Sequence, residues 1–277
     1  MTNQELAKVA NEVRKGVVTA VHAAKSGHPG GSLGAADIMT YLYFEEMNID
    51  PADPHKADRD RFVLSKGHAA PGLYSVLANR GYFPVEELET LRHIGSRLQG
   101  HPNMNDAPGI DMSTGSLGQG ISAAVGMALA AKHWGDGYRV YTLLGDGECE
   151  EGQVWEAAMF AAHRDLDNLV AILDENTLQI NGRTSEICKP TSYESRYAAF
   201  GWAVRPVPGH DVGALYDAFA QIPLEPGKPT LLVTKTTKGK GISFLEDQQK
   251  YHHWNPDAGE AARALEELDA RAAERGW

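Results

Sequence analysis

Length, composition and charge exclude several classes of protein. The chain has 277 residues, of which 42% are hydrophobic and 23% charged, proportions typical of globular domains and not of disordered or low-complexity sequences. Its formal net charge of −11 argues against nucleic acid as a partner, because a nucleic-acid-binding surface needs clustered lysine and arginine.

No segment of the sequence predicts a membrane or secretory protein. The first residues mix charges throughout and lack the apolar centre of a signal peptide. No stretch approaches the roughly 20 apolar residues that a membrane-spanning helix needs. The two cysteines, Cys149 and Cys188, do not form a disulfide framework. We therefore expect a soluble, cytoplasmic protein that binds no membrane.

The first half of the chain is predicted to be mainly helical. Apolar residues at helical spacing predict an amphipathic helix over residues 4–24 and a second helix over residues 35–46. A short strand is predicted over 61–64, and a helical pattern covers 70–95. Residues 115–134 predict a helix so rich in glycine, alanine and serine that another backbone can approach it closely.

The second half alternates strands with helices. Strands are predicted over 138–144, 169–173, 202–207 and 230–234, with helices over 150–164 and 257–277. This alternation predicts an α/β fold, a parallel sheet flanked by helices on both faces, in a single domain with a short C-terminal helical tail. Ligands of such sheets bind beyond the carboxyl ends of the strands. We therefore expect a site at the loops that follow Leu64, Leu144, Leu173 and Thr234.

Two of these loops carry ligands for a hard metal ion. Asp146, which lies between two glycines, offers a carboxylate, and Asn176 after the next strand offers an amide oxygen. Such oxygens suit Mg²⁺ or Ca²⁺ and suit zinc poorly. The backbone carbonyl near Leu178 is a candidate third ligand, and the glycines let backbone N–H groups approach a phosphate. For Gly-Asp-Gly alone, the alternative is a tight turn.

Three acidic residues complicate this interpretation. Glu148, Glu150 and Glu151 closely follow Asp146 and would repel a diphosphate. Either a metal ion offsets their charge or their side chains point elsewhere.

Histidines and lysines in loops are further candidates. His28, His68 and His101 each lie beside glycine or proline, where an imidazole can serve sugar chemistry near neutral pH or can stabilise a turn. The segment 235–241 pairs lysine with glycine, which suits a phosphate ligand, and the alternative is a solvated basic loop. Residue type and position alone do not decide between a functional and a structural role for these histidines, or between a phosphate ligand and a solvated loop for segment 235–241.

Five motifs occur in an order that resembles the transketolases. They are Ser-Gly-His-Pro-Gly at 26–30, Leu-Ser-Lys-Gly-His at 64–68, Gly-His-Pro at 100–102, Thr-Gly-Ser-Leu-Gly-Gln-Gly at 114–120 and Gly-Asp-Gly at 145–147. Gly-Asp-Gly followed by Asn176 is similar to the thiamine-diphosphate motif. The resemblance covers nearly the whole chain. It implies the thiamine-diphosphate-binding fold over residues 1–277, with thiamine diphosphate and Mg²⁺ or Ca²⁺ as cofactors.

The resemblance also implies roles for particular residues. The metal ligands would be Asp146, Asn176 and the Leu178 carbonyl. The residues around the cofactor would be Lys66, His68, Gly115, Leu117, Gly147 and Lys238. The histidines facing the substrate would be His28, His101 and His252. Where transketolases carry Trp-His-Gly-Lys, this chain has Tyr251-His252-His253-Trp254, so His253 is an alternative to His252 and the preferred sugar is open.

The resemblance implies a function that needs a second chain. Transketolases activate the cofactor with a glutamate of a pyrimidine-binding domain, which this sequence does not contain. The chain would then be the N-terminal subunit of an α2β2 transketolase that moves a two-carbon ketol unit between sugars or sugar phosphates. A truncated boundary is the alternative to a natural split. The alternative functions are a non-catalytic cofactor-binding or regulatory paralogue, and a related thiamine-dependent enzyme component.

Overall fold

The computed structural model describes residues 1–277, and a parallel sheet of five strands forms its centre. The strands in chain order are β1 (Arg61–Leu64), β2 (Val140–Gly145), β3 (Leu169–Glu175), β4 (Leu178–Gln179), β5 (Gly182–Arg183), β6 (Ala203–Pro208) and β7 (Thr230–Lys235). The central sheet has the order β1-β2-β3-β7-β6 with every pair parallel, while β4 and β5 form a separate antiparallel hairpin.

Ten α-helices surround the strands. They are α1 (Asn3–Ala24), α2 (Pro29–Gly34), α3 (Ala36–Tyr41), α4 (Ala70–Arg80), α5 (Gln119–Trp134), α6 (Gly152–His163), α7 (Thr184–Ile187), α8 (Tyr193–Ala199), α9 (Val212–Phe219) and α10 (Ala258–Glu274). None of them combines the length and the apolar character that crossing a membrane requires.

Alternate residues of the central strands pack against helices on opposite faces of the sheet. Tyr141 and Leu143 of β2 belong to a buried cluster with residues of α1, α3, α4 and α9. Val140 and Leu144 belong to a second cluster with residues of α5, α6 and α8. Every residue of β2 is buried, as expected for a parallel strand that is covered on both sides. The predicted fold class is therefore confirmed.

The register of the sheet brings the ends of three strands level. Gly145 at the end of β2 lies opposite Asp174 of β3, and Asp174 lies opposite Thr234 of β7. Because parallel strands point the same way, the loops that follow them meet at one edge of the sheet.

The C-terminal helix packs on the N-terminal one. Ala261 and Leu268 of α10 share a buried cluster with Val17 and Val21 of α1. The Asn11 side chain of α1 also donates a hydrogen bond of 3.0 Å to the Leu268 carbonyl. The predicted helical tail is thus anchored to α1 through its apolar side.

The structure differs from the sequence predictions at several element boundaries. The helix predicted from residue 115 begins at Gln119, because Gly115 and Gly118 have φ of +143° and +83°, a region that favours glycine. The helix predicted over 35–46 is divided into α3, which covers Ala36–Tyr41, and a widened turn over Leu42–Glu46. Periodicity did not indicate α8 and α9, because seven or eight residues form only about two turns.

Candidate functional site

A cavity of about 460 Å³ opens at the carboxyl edge of the central sheet. Its lining contains all twelve residues that the sequence singled out for metal, cofactor and substrate: His28, Lys66, His68, His101, Gly115, Leu117, Asp146, Gly147, Asn176, Leu178, Lys238 and His252. These residues come from segments far apart in the chain, and the level strand ends bring them together.

Asp146 is fixed at the end of β2 by backbone donors. Its Oδ1 accepts the N–H of Gly147 at 2.8 Å, and its Oδ2 accepts the N–H of Thr177 at 2.5 Å. Burial, with a further contribution from the Asp174 carboxylate, raises the pKa of Asp146 to about 6. A cation beside this carboxyl group would therefore favour its ionised form.

Asn176 and Leu178 complete a set of hard oxygen ligands. The Asn176 Oδ1 accepts the N–H of Leu178 at 3.1 Å, which holds the amide in the cavity wall. The Lys238 ammonium donates to the Leu178 carbonyl at 2.8 Å, so a positive charge already lies at this oxygen. No three histidine, cysteine, aspartate or glutamate side chains converge as a metal site. A metal ion here would depend on one carboxylate, one amide and one carbonyl, a set that fits Mg²⁺ or Ca²⁺.

Two buried lysines place ammonium groups on the cavity floor. The Lys66 ammonium lies 2.5 Å from Asp174 Oδ2 and 3.1 Å from the Gly31 carbonyl. Burial alone would raise the pKa of Asp174, but the Lys66 charge and hydrogen bonds from Lys66, Thr236 and Asn176 hold it below its usual value. Burial lowers the pKa of Lys238 to about 8, against the opposing effect of Asp174 and Asp146. Two ammonium groups beside a hard-oxygen set are suited to a diphosphate with its metal ion.

Four histidines lie together in the cavity wall. The ring centroid of His28 lies 5.6 Å from that of His68, 6.5 Å from that of His101 and 5.4 Å from that of His252. Burial, followed by neighbouring charges, lowers the pKa of His28 to about 4 and that of His252 to about 3, and it lowers the pKa of His68 well below its usual value. These imidazoles are neutral near pH 7, so each has one donor and one acceptor nitrogen.

Two of these imidazoles have a nitrogen without a protein partner. The Nδ1 atoms of His28 and His252 are buried and make no hydrogen bond. A buried polar atom without a partner costs free energy, and a ligand in the cavity would reach these two nitrogens only if the rings turned.

The two adjacent histidines of the 251–254 segment occupy different environments. His252 lines the cavity, and its ring stacks 5.3 Å from that of His68. His253 is exposed, and its Nε2 lies 3.1 Å from the Ser26 hydroxyl. The structure therefore places His252 in the cavity wall and His253 at its margin, 5.4 Å from the His28 ring.

Two glycines lie where the cavity wall is tight. A Cβ atom on Gly115, whose φ is +143°, would lie 3.1 Å from the His101 ring. A Cβ atom on Gly147 would lie 3.1 Å from the Gln179 side chain. Both positions keep the backbone close to the space that a ligand would occupy.

The Glu148 carboxylate is committed to protein donors. It accepts hydrogen bonds from the Ser65 hydroxyl at 2.6 Å, the Gly118 N–H at 2.8 Å and the Gly145 N–H at 3.0 Å. The side chain therefore joins the loops after β1 and β2 to the loop before α5. Glu148 lines the cavity together with Glu150 and Glu151, so the structure does not favour the explanation in which these side chains point elsewhere.

We expect Glu148→Gln to weaken binding of magnesium pyrophosphate and to lower the free energy of unfolding by about 1.5–3 kcal/mol. The NH₂ group of the glutamine side chain would face at least one of the backbone N–H groups that Glu148 now accepts, so two donors would meet. Losing a hydrogen bond to a buried charged group typically costs about 1.5–3 kcal/mol. Calorimetry with inorganic pyrophosphate and Mg²⁺, together with chemical denaturation, measures both effects.

The matched control for Glu148→Gln is Asp60→Asn. Asp60 is also a buried carboxylate that accepts two backbone N–H groups, from Asn48 at 2.8 Å and Arg139 at 2.7 Å, but it lies before β1 at the opposite edge of the sheet. Asp60→Asn should lower stability and leave pyrophosphate affinity unchanged. Equal losses of affinity in both variants would show that the effect of Glu148 is only a loss of stability.

Sequence patterns did not identify a buried network beside the cavity. It joins Arg14 of α1, Asp37 of α3 and His210 of the loop after β6 to the segment that carries Lys238. The one available signal was the position of Gly209-His210-Asp211 directly after a strand, at the edge of the sheet where the other site loops lie.

Comparisons with known proteins agree on one family. Residues 6–271 match the family model described as "Transketolase, thiamine diphosphate binding domain". The chain is 45% identical over 269 residues to the 6-deoxy-6-sulfo-D-fructose transketolase subunit SqwG of Clostridium sp. (strain MSTE9), covering 97% of this chain and 98% of that protein. It is 44% identical over 258 residues to one of the apulose-4-phosphate transketolase subunits, that of Phocaeicola vulgatus, covering 93% of this chain and 92% of that one.

A solved structure extends the similarity to three dimensions. The transketolase of Pichia stipitis in complex with sedoheptulose-7-phosphate superposes with a TM-score of 0.88 at 33% identity. The match covers 99% of this chain and 45% of that one, so this chain spans less than half the length of the solved protein.

Proposed function

This chain belongs to the transketolase family, and on that basis we propose that it is the N-terminal, thiamine-diphosphate-binding subunit of a two-subunit transketolase. The reaction would transfer a two-carbon ketol unit from a ketose or ketose phosphate to an aldose or aldose phosphate. We further propose that residues 1–277 form one diphosphate-binding domain, that the assembly is α2β2, and that it is cytoplasmic.

The observation that carries the proposal is the convergence of three groups in one cavity. Hard oxygens of Asp146, Asn176 and Leu178 lie beside the ammonium groups of Lys66 and Lys238. Neutral imidazoles line the same cavity. A metal ion with a diphosphate fits the first two groups, and a polyhydroxylated substrate fits the third.

We propose a division of labour among these residues. Asp146, Asn176 and the Leu178 carbonyl would hold Mg²⁺ or Ca²⁺. Lys66, His68, Gly115, Leu117, Gly147 and Lys238 would hold the cofactor. Thiamine diphosphate, when bound, supplies the nucleophilic carbon of the reaction. The protein's part is to orient the sugar, to exclude water and to move protons at its hydroxyl groups.

The histidines are suited to the proton transfers. We propose that His28, His101 and His252 bind the ketose hydroxyl and carbonyl groups. Because His28 and His252 are neutral at pH 7, each can accept a proton at one nitrogen while it donates a hydrogen bond from the other.

A second chain is part of the proposal. Relatives that match along nearly their whole length are named as subunits, and the solved transketolase is more than twice as long as the match. Both facts support a partner that carries the pyrimidine-binding domain and the acid that activates the cofactor.

We expect this chain alone to turn over ketoses at least about 100-fold more slowly than the complex with its partner. General acid–base groups typically contribute about 100- to 10,000-fold, and the activating acid would be on the other chain. Transfer to an aldose acceptor is measured with thiamine diphosphate, Mg²⁺ and the ketoses of the relatives' names, 6-deoxy-6-sulfo-D-fructose and apulose-4-phosphate.

The controls for reconstitution are the partner alone and the complex without Mg²⁺, which should both be inactive. Full activity of this chain by itself would contradict the two-subunit proposal. A complex that binds magnesium thiamine diphosphate but transfers from no ketose would favour a non-catalytic paralogue.

A further inference from the structure

The buried network beside the cavity ends on the backbone next to Lys238. His210 lies in the loop between β6 and α9, and its Nε2 accepts the N–H of Thr237 at 2.8 Å. Thr237 immediately precedes Lys238, one of the two ammonium groups on the cavity floor. The imidazole thus acts on the segment that carries Lys238 without touching the cavity itself.

Asp37 determines which nitrogen of His210 is protonated. The Asp37 Oδ2 lies 2.8 Å from His210 Nδ1, and Arg14 makes two further hydrogen bonds to the same carboxylate, at 3.1 and 2.5 Å. Burial opposes the ionised form, but the Arg14 charge and the His210 hydrogen bond hold the pKa of Asp37 well below its usual value. An ionised carboxylate only accepts hydrogen bonds, so Nδ1 carries the proton and Nε2 is left as the acceptor.

The same network fixes the segment beyond Lys238. The Arg14 Nε donates to the Lys240 carbonyl at 3.0 Å. Between these two anchors, the Gly239 N–H donates to the Gly30 carbonyl at 2.9 Å, which ties the segment to α2, the helix directly after His28. Lys238 therefore lies on a segment that is held on both sides, and its side chain is 3% exposed.

We propose that His210 is a positioning residue that, oriented by Asp37 and Arg14, holds segment 236–241 so that Lys238 is preorganised for the cofactor diphosphate. The proposal deepens the proposed function and rests on it for the identity of the ligand. The claim that His210 holds segment 236–241 rests only on hydrogen bonds within this chain.

Two substitutions by amide residues test the roles of the two His210 nitrogens separately. In His210→Gln the side-chain oxygen reaches the position of Nε2, so it can still accept the Thr237 N–H. In His210→Asn the amide reaches only the position of Nδ1, so the contact with Asp37 is kept and the Thr237 N–H loses its acceptor. The pair therefore tests the acceptor role and not the mere presence of a side chain.

The first measurement needs no cofactor. We expect amide hydrogen exchange of Thr237 in the full-length chain to become at least tenfold faster in His210→Asn and to stay within about threefold of the original protein in His210→Gln, because only the glutamine keeps the acceptor.

The second measurement is the affinity of the complex for magnesium thiamine diphosphate, which should fall about tenfold in His210→Asn alone. His22→Asn is the control, since that imidazole contacts a backbone carbonyl, that of Pro256 at 3.3 Å.

The outcomes distinguish the two claims. If the original protein binds no magnesium thiamine diphosphate, the proposed function fails, while the exchange result still tests the segment. If His210→Asn leaves both exchange and affinity unchanged, or if both variants lose affinity equally, His210 is not a positioning residue. Should either variant fail to fold, His210→Ala is used with free imidazole, which can reach the position from an open surface depression. Restored affinity supports the proposal and the absence of rescue in folded protein overturns it.

Discussion

Asp146→Asn is expected to lower the metal-dependent affinity for thiamine diphosphate by more than about 100-fold. Substitutions of groups that merely orient a metal ligand typically cost 10- to 100-fold, and a direct carboxylate ligand should cost more. The asparagine also presents a donor to the N–H of Gly147 or Thr177, both of which Asp146 now satisfies. Titration calorimetry of the complex with thiamine diphosphate, at increasing Mg²⁺, measures the change.

The comparison for Asp146→Asn is again Asp60→Asn, which removes a buried carboxylate at the other edge of the sheet. That control should keep the Mg²⁺ dependence of the original protein. If Asp146→Asn kept it as well and lost only stability, Asp146 would be a turn residue, the alternative that the Gly-Asp-Gly motif left open.

Lys66→Met is expected to lower the free energy of unfolding by about 3–5 kcal/mol. The ammonium of Lys66 and the carboxylate of Asp174 are both almost fully buried and 2.5 Å apart. Removing one partner of such a pair leaves an uncompensated charge in the interior, and that cost dominates the change. Urea denaturation of the chain at neutral pH measures it without any cofactor.

Two companion variants make the Lys66 result interpretable. Lys228→Met removes the ammonium of an exposed pair with Glu225 and should cost less than about 1 kcal/mol. The double variant Lys66→Met with Asp174→Leu should be more stable than Lys66→Met alone, because the isolated charge is gone. A loss of less than about 1 kcal/mol in Lys66→Met would show that Asp174 finds other compensation, from Thr236 and Asn176.

The sequence was enough to locate the site residues that directly follow a strand or lie in a sharp turn. Asp146 and Asn176 come directly after strands whose apolar runs were easy to recognise, and parallel strands bring such positions to one edge. His28, Lys66 and His101 lie in loops whose glycines and prolines marked sharp turns. Local patterns of this kind depend on neighbours in the chain, so one sequence is enough to find them.

The direction of side chains could not be found in the same way. Glu148 points to Ser65 and Gly118, which lie 83 and 30 residues away in the chain. His210 meets Asp37 across 173 residues. Such contacts exist only after the helices have packed on the sheet, and no periodicity records them. Backbone conformation was equally hidden at Gly115 and Gly118. The sequence predicts a helix there, because composition does not reveal that both residues have a positive φ.

The three hydrogen bonds of Glu148 have a consequence for how this protein can vary. Because one carboxylate joins the loops at Ser65, Gly118 and Gly145, a change in any of these loops alters the environment of the other two. Energetic effects of residues that share a partner are not additive. A library of variants that changes one of these loops at a time would therefore miss favourable combinations of substitutions in two or three of them. For the same reason, the effect of a substitution in one loop should depend on which substitutions the other loops already carry.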